Sequence, residues 1–341
     1  MLKRFAGPRG RVEITEFDSH VLRANPLGDP TRRDVAVYLP AAYDAEPRRR
    51  FPLIVFLSGY TSSGLALVGW KNFTENLPER LDRLIADGRL GPCLALFPDC
   101  FTAYGGNQFV NSSAIGNYAD YLHVELVPYV DRQYRTLASR EHRALVGKSS
   151  GGYGALVNGM LHPEVWGAIA CHSGDLYFDY CYRADFPVLL AVLERHGRSV
   201  ETFVRDFHRL VKPSEQEVHA LMLIGMAATY DTDPKQALGF HLPFDLETGE
   251  VDEQRWRQWR SWDPVELLAK YVGALASLRR FYFDCGTRDQ YRLLYGARIL
   301  HRRLDAAQIR HRYEEFDDNH SNVDYRLDVS LPELWSGIAP A

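Results

Sequence analysis

A doubly wound, mostly parallel α/β sheet is the fold predicted for this 341-residue chain, and three observations predict it. Apolar runs recur at 52–57, 93–97, 144–146 and 166–170, and the series is completed at 281–283 and 313–316. Runs this continuous suit strands buried on both faces of a parallel sheet. Segments of helical spacing separate them, and strands alternating with helices build parallel crossovers. The composition, 46% hydrophobic and 25% charged, suits a large packed core.

In chain order, residues 11–17 alternate polar and apolar as a half-buried strand does, 25–30 form a turn cluster, and 33–40 read as a second strand. Both are expected as antiparallel edge strands ahead of the main sheet. Helices are expected over 77–86, 118–135, 151–161, 291–304 and 331–338. The rhythm breaks after Gly174. About a hundred residues pass before the next core strand, far beyond an ordinary loop. They carry helix-like stretches at 187–195, 200–210 and 215–228, a polar loop at 245–253, and Trp256, Trp259 and Trp262 spaced three apart. We read 1–341 as one domain, with 175–262 as a helical lid inserted over the strand ends where α/β ligands bind. The tryptophan stripe is read as the lid's own core.

Charge excludes some functions. The net charge of -4 and the lack of a long Lys/Arg block argue against a nucleic-acid track. Arg48-Arg49-Arg50 reads as a solvated turn, and His301-Arg302-Arg303 as the polar face of a helix. The five cysteines are odd in number, form no C-x-x-C pair and several sit in apolar runs, which favours reduced thiols and a cytoplasmic setting. Met1 to Pro8 lack the apolar centre of a signal peptide, and no run approaches a membrane span, so no membrane association is expected.

The chemistry centres on Gly147-Lys148-Ser149-Ser150-Gly151, which lies between a short apolar strand and a small-residue helix beginning Gly152-Tyr153-Gly154. A serine on so tight a strand-to-helix turn stands exposed above the sheet, and glycines two before and two after avoid collision. A serine hydroxyl needs a base, and the base needs a partner that fixes its tautomer. In this architecture the order is serine, acid, histidine. Downstream, Asp289 follows the glycine turn after the 281–283 strand, whereas Asp284 lies within that strand and is expected to hold the loop backbone. Asp289 could instead be an N-cap for the next helix. His320 follows the last strand in a polar loop. His301 and His311 read as helix and strand positions with surface or packing roles. Catalytic Ser149, Asp289 and His320 are therefore expected, with the backbone N–H groups of Tyr60 and Ser150 as an oxyanion hole. Tyr104, Asn107, His172 and Tyr177 are candidates for substrate binding. No metal and no cofactor is called for.

These segments resemble the esterase-D-like branch of the α/β hydrolases, which includes S-formylglutathione hydrolases, feruloyl and acetyl esterases and enterochelin-esterase-like proteins. The matching stretches are Val37-Tyr38-Leu39-Pro40 with Tyr43, Leu57-Ser58-Gly59, 111–118, 125–130, Tyr134-Arg135-Thr136, 147–154, Ser173-Gly174, 285–289 and Asn319-His320-Ser321. The resemblance implies an α/β-hydrolase fold with N-terminal antiparallel strands, the same triad and the same oxyanion hole. Two departures stand out. Ser150 replaces the methionine often found after the nucleophile. The loop after Gly59 lacks the threonine-cysteine-threonine-glutamate run of S-formylglutathione hydrolases. The expected activity is a serine esterase acting on a small-molecule ester through an acyl-enzyme. Acyltransferase or peptidase chemistry on the same triad, a non-catalytic binding protein and a homodimer remain open alternatives.

Overall fold

Eight strands form the central sheet: β1 (Arg11–Asp18), β2 (Arg32–Leu39), β3 (Leu53–Leu57), β4 (Leu94–Phe97), β5 (Arg143–Lys148), β6 (Ala168–His172), β7 (Arg280–Gly286) and β8 (Arg312–Phe316). Their spatial order is β1-β2-β4-β3-β5-β6-β7-β8. β1 pairs antiparallel with β2, and β2 antiparallel with β4; every other pairing is parallel. The computed structural model describes residues 7–340, so most of the N-terminal segment read for a leader lies outside the described residues.

The double winding follows from strand alternation. Leu53, Val55 and Leu57 of β3, Leu145 of β5 and Phe281, Phe283 and Cys285 of β7 enter one core. Their neighbours Ile54, Phe56, Ala144, Val146 and Tyr282 enter the other. Helix α1 (Leu77–Ala86) covers the second core and begins on a capping box: Asn76 accepts from Glu79 N at 3.0 Å, and Glu79 accepts from Asn76 N at 3.1 Å. On the first face lies α2 (Ser150–Leu161), whose small residues let it sit close on the sheet. β6, expected from the apolar run at 166–170, begins two residues later, at Ala168, and continues to His172, because the turn at 163–165 and the bend at Gly167 precede it. Residues 118–135 are helical to Gln133, with a π-helical stretch at Tyr121–Leu126.

Between β6 and β7 no strand of the main sheet intervenes. The interval folds into helices that include α3 (Phe186–Glu194), α4 (Glu215–Tyr230) and α5 (Glu253–Arg260). Trp256 and Trp259 are buried against Phe186, and Trp259 also meets Tyr182 and Tyr230, so these two tryptophans are core of this excursion, while Trp262 is partly buried. All five cysteines are free and buried. Among the described residues no helix is long and apolar enough to cross a membrane.

Asp284 corrects one expectation. Its carboxylate does not hold the following loop; it accepts from His172 Nδ1 at 2.8 Å, Tyr282 Oη at 2.8 Å and Arg326 Nε at 2.9 Å. Its main-chain carbonyl accepts from Ser173 N at 2.8 Å, just past the end of β6. Burial opposes ionisation, but His172 and then Arg326 and Tyr282 outweigh it and hold the carboxyl below the ordinary range. A lowered folded-state pKa stabilises above the unfolded value of about 3.9, and that stabilisation is lost as pH falls through the folded value. Asp284→Asn is therefore expected to cost about 3–5 kcal/mol in urea unfolding at neutral pH. The gap to the unsubstituted protein should narrow as pH drops below about 4; a gap independent of pH would contradict the role of the charge.

Candidate active site

β5 delivers the chain to its turn with Gly147 and Lys148, and α2 starts at Ser150, so Ser149 must reverse the chain alone. It does so with φ 58° and ψ −126°. A Cβ on Gly147 would lie 2.2 Å from the Gly151 carbonyl oxygen, and one on Gly151 would lie 2.1 Å from that of Leu57. Both glycines are thus dictated by contact. Ser149 N donates to His172 O at 3.0 Å, and Ser149 O accepts from Tyr153 N at 2.9 Å, which fixes the turn from either side.

The loop after β3 lies against this turn, since a Cβ on Gly59 would sit 3.7 Å from Ser149 Cβ. Tyr60 follows, its ring buried and its hydroxyl donating to the Tyr104 carbonyl. Gly106 carries no side chain where Tyr60's backbone passes; a Cβ there would come within 2.3 Å of Tyr60 O. Among the described residues no acceptor takes the main-chain N–H of Tyr60 or of Ser150. Both donors are left free beside the serine turn.

Asp289 and His320 meet across the ends of β7 and β8. His320 Nδ1 lies 2.8 Å from Asp289 Oδ2, and the Asp289 side chain is fully buried. Because a carboxylate only accepts, Nδ1 carries the proton and Nε2 presents a lone pair. Asp289 Oδ1 accepts from Tyr291 N at 2.9 Å and Leu293 N at 3.4 Å, so the carboxylate also caps the start of α6 (Leu293–Ala306). Capping and histidine pairing use different oxygens and coexist. The two loops are knitted by Arg288 N to Asp318 O at 2.9 Å and His320 N to Gln290 Oε1 at 3.0 Å. Among the described residues no hydrogen bond joins Ser149 to His320 in this state.

The substrate-pocket candidates divide. Tyr104 and Asn107 belong to the buried segment that supports Tyr60; Asn107 Oδ1 accepts from Phe109 N. Tyr177, half-buried, opens the helical excursion with its N–H on Asp263 Oδ1 at 3.1 Å. His172 does not join them. It is 3% exposed, both ring nitrogens are engaged, by Asp284 and by Ser330 Oγ at 2.8 Å, and it packs on the face opposite α2. The cavity it borders is lined also by Lys148 and Asp324.

Asp175 and Tyr291 escaped the sequence reading. Ser150 Oγ accepts from Gln108 Nε2 at 2.8 Å and donates to Asp175 Oδ2 at 3.1 Å, and Tyr182 Oη donates to the same oxygen at 2.8 Å. Burial pushes the Asp175 carboxyl up, partly offset by the Tyr182 hydrogen bond. The signal for Asp175 was its place directly after Ser173-Gly174, at the end of β6. Tyr291 stands edge-on to His320 at 4.9 Å and is stacked with His219 of α4 at 6.2 Å.

Comparisons with known proteins bear on the family and the fold. Residues 30–331 match the family described as "Putative esterase". The endo-1,4-beta-xylanase/feruloyl esterase of Xylanibacter ruminicola is 30% identical over 102 residues, a match spanning 28% of this chain and 13% of that protein. An S-formylglutathione hydrolase from Agrobacterium tumefaciens superposes with a TM-score of 0.62 at 15% identity, covering 99% of each chain. The feruloyl esterase module of Clostridium thermocellum gives 0.59 at 13% identity, covering 99% of this chain and 92% of that one. At these identities the likeness establishes the α/β-hydrolase fold.

The contact argument at the serine turn has a direct test. Gly151→Ala is expected to destabilise the protein by about 3 kcal/mol, because the Leu57 carbonyl is main chain and cannot swing away. An unchanged midpoint in chemical denaturation would show that the turn has slack.

Proposed function

Because the chain belongs to this esterase family, we propose that it hydrolyses a small-molecule carboxylic ester through an acyl-serine intermediate, with Ser149 as nucleophile, His320 as base and Asp289 as its partner. The observation that carries the proposal is the positive φ of Ser149 between two glycines that contact requires. Structures retain such strain where a side chain must be presented.

In this reading His320 Nε2 removes the Ser149 hydroxyl proton as Oγ attacks the ester carbonyl. Asp289 holds the ring by Nδ1 and stabilises the imidazolium that forms. The carbonyl oxygen, now an oxyanion, is taken by the free N–H groups of Tyr60 and Ser150, the second reinforced by its place at the N-terminus of α2. The imidazolium returns its proton to the departing alkoxide, which leaves as the alcohol. Water, deprotonated by the same nitrogen, then attacks the acyl-serine, and its proton passes back to Oγ as the acid is released.

The helical excursion acts as the lid that selects the ester. Its helix α4 brings Gly225 against the oxyanion loop, where a Cβ would lie 3.6 Å from Tyr104 and 3.8 Å from Tyr60. Tyr104, Asn107 and Tyr177 shape the pocket from beneath and beside it. The five buried free thiols favour a cytosolic location.

Hydrolysis of p-nitrophenyl acetate is expected to fall by about 10⁴-fold or more in Ser149→Ala, with the thermal midpoint unchanged. Asp289→Asn should lose about 10⁴-fold in kcat, because the amide no longer selects the Nδ1–H tautomer. An alanine variant that still turns over the ester would overturn the assignment.

A further inference from the structure

α6 and β8 meet a second time, at the ends remote from Asp289 and His320. His301 and Asp305 are four residues apart near the C-terminal end of α6 and so share one face. His311 enters from the turn just before β8. His301 Nδ1 lies 2.8 Å from His311 Nε2, and the Asp305 carboxylate lies 3.5 Å from His301 Nε2 and 3.7 Å from His311 Nε2. One ligand-type atom from each of the three falls within 4.8 Å of the others.

We propose that His301, Asp305 and His311 form a binding site for a divalent transition-metal ion of the zinc type. The tautomer of His311 is the second observation that points there. Its Nδ1 is 2.7 Å from the Ile309 carbonyl, which can only accept, so Nδ1 carries the proton and Nε2 turns a lone pair toward His301 and Asp305. A ring nitrogen backed by a carbonyl in this way is the usual setting of a ligating histidine. The ring is also held rigidly: its side chain is 4% exposed and packs against Phe283 at 5.6 Å.

The geometry fits with small adjustments. Tetrahedral bonds of about 2.0–2.1 Å place ligand atoms about 3.3 Å apart. His301 Nδ1 and His311 Nε2 would separate by about 0.5 Å, and Asp305, with one ligand atom within 4.8 Å of one from each histidine, would close on the ion by side-chain rotation. The ion replaces the proton that the two imidazoles share. Two imidazoles and one carboxylate suit zinc, cobalt or nickel better than calcium or magnesium. The Asp305 side chain is 61% exposed, which leaves room for water as a fourth ligand. The site stands apart from the proposed ester chemistry, and departs from the expectation that His301 and His311 serve only packing or surface roles. Its effect is to clamp the helix that begins after Asp289 to the strand that ends before His320.

The test compares the chelator-stripped protein with a His301→Ala/Asp305→Ala variant, whose side chains are exposed enough to be lost without unfolding. Zn²⁺ titration by calorimetry should find one site at least about tenfold tighter in the unsubstituted protein, and excess Zn²⁺ should raise only its Tm, by about 3 °C or more. Co²⁺ should give it the visible absorption of a four-coordinate site. Equal affinity in the two proteins, or no four-coordinate Co²⁺ spectrum in the unsubstituted one, would overturn the proposal, and the Co²⁺ reading stands even if the variant misfolds.

Discussion

Ser149 keeps its left-handed backbone because residues 147 and 151 have no side chains, and that arrangement fixes how closely three elements approach. A Cβ on Gly147 would strike the start of α2, and a Cβ on Gly151 would strike the end of β3. The end of β5, the start of α2 and the end of β3 are therefore within one contact distance of the serine. A residue held at positive φ costs of order 1–3 kcal/mol, and the surroundings must over-determine it. Here β5 is paired on both sides, to β3 and to β6, and the serine's own amide and carbonyl are both bonded. The strain is confined to one residue, and the loop carrying Tyr60 is brought beside it by the same contact.

Asp289 and His320 depend on a different part of the sheet. β7 and β8 are neighbours at its edge, and their following loops are laced by main-chain bonds, so Asp289 and His320 meet without help from the serine. The helical excursion leaves the sheet between β6 and β7, and it touches both halves. Asp175, itself held by Tyr182, reaches Ser150, Gly225 rests on Tyr60, and His219 stacks on the Tyr291 that stands beside His320. An excursion with contacts to the Ser149 turn, the Tyr60 loop and the neighbour of His320 would, under the proposed function, couple substrate choice to the geometry of all three.

The sheet was legible because its strands are buried on both faces, and continuous apolar runs announce that without an alignment. The glycine pair around Ser149 was legible for a similar reason, since contact leaves no other residue possible. Asp289 and His320 followed from chain order and from lying in loops after strands. What stayed hidden is long-range polar pairing. Asp284 looked like a loop anchor, but its partners His172 and Arg326 lie 112 and 42 residues away, and local pattern carries no trace of them. His172 was misread for the same reason: it ends a strand near the site, yet Ser330 of the C-terminal helix α7 (Leu327–Ile338) claims its second nitrogen. Asp175 was passed over because a single aspartate at the start of the helical excursion looks like any surface residue, while burial beneath Ser150 makes it something else.

The central claim is that Ser149 is the atom that takes the acyl group. Rapid acid quench of the protein with a p-nitrophenyl ester, followed by intact-mass and peptide analysis, tests it most directly. The account predicts a transient adduct of one acyl mass on the peptide containing Ser149, and more of it when deacylation is slowed. Ester turnover with the acyl group on another residue, or with no covalent adduct under any condition of slowed deacylation, would contradict it.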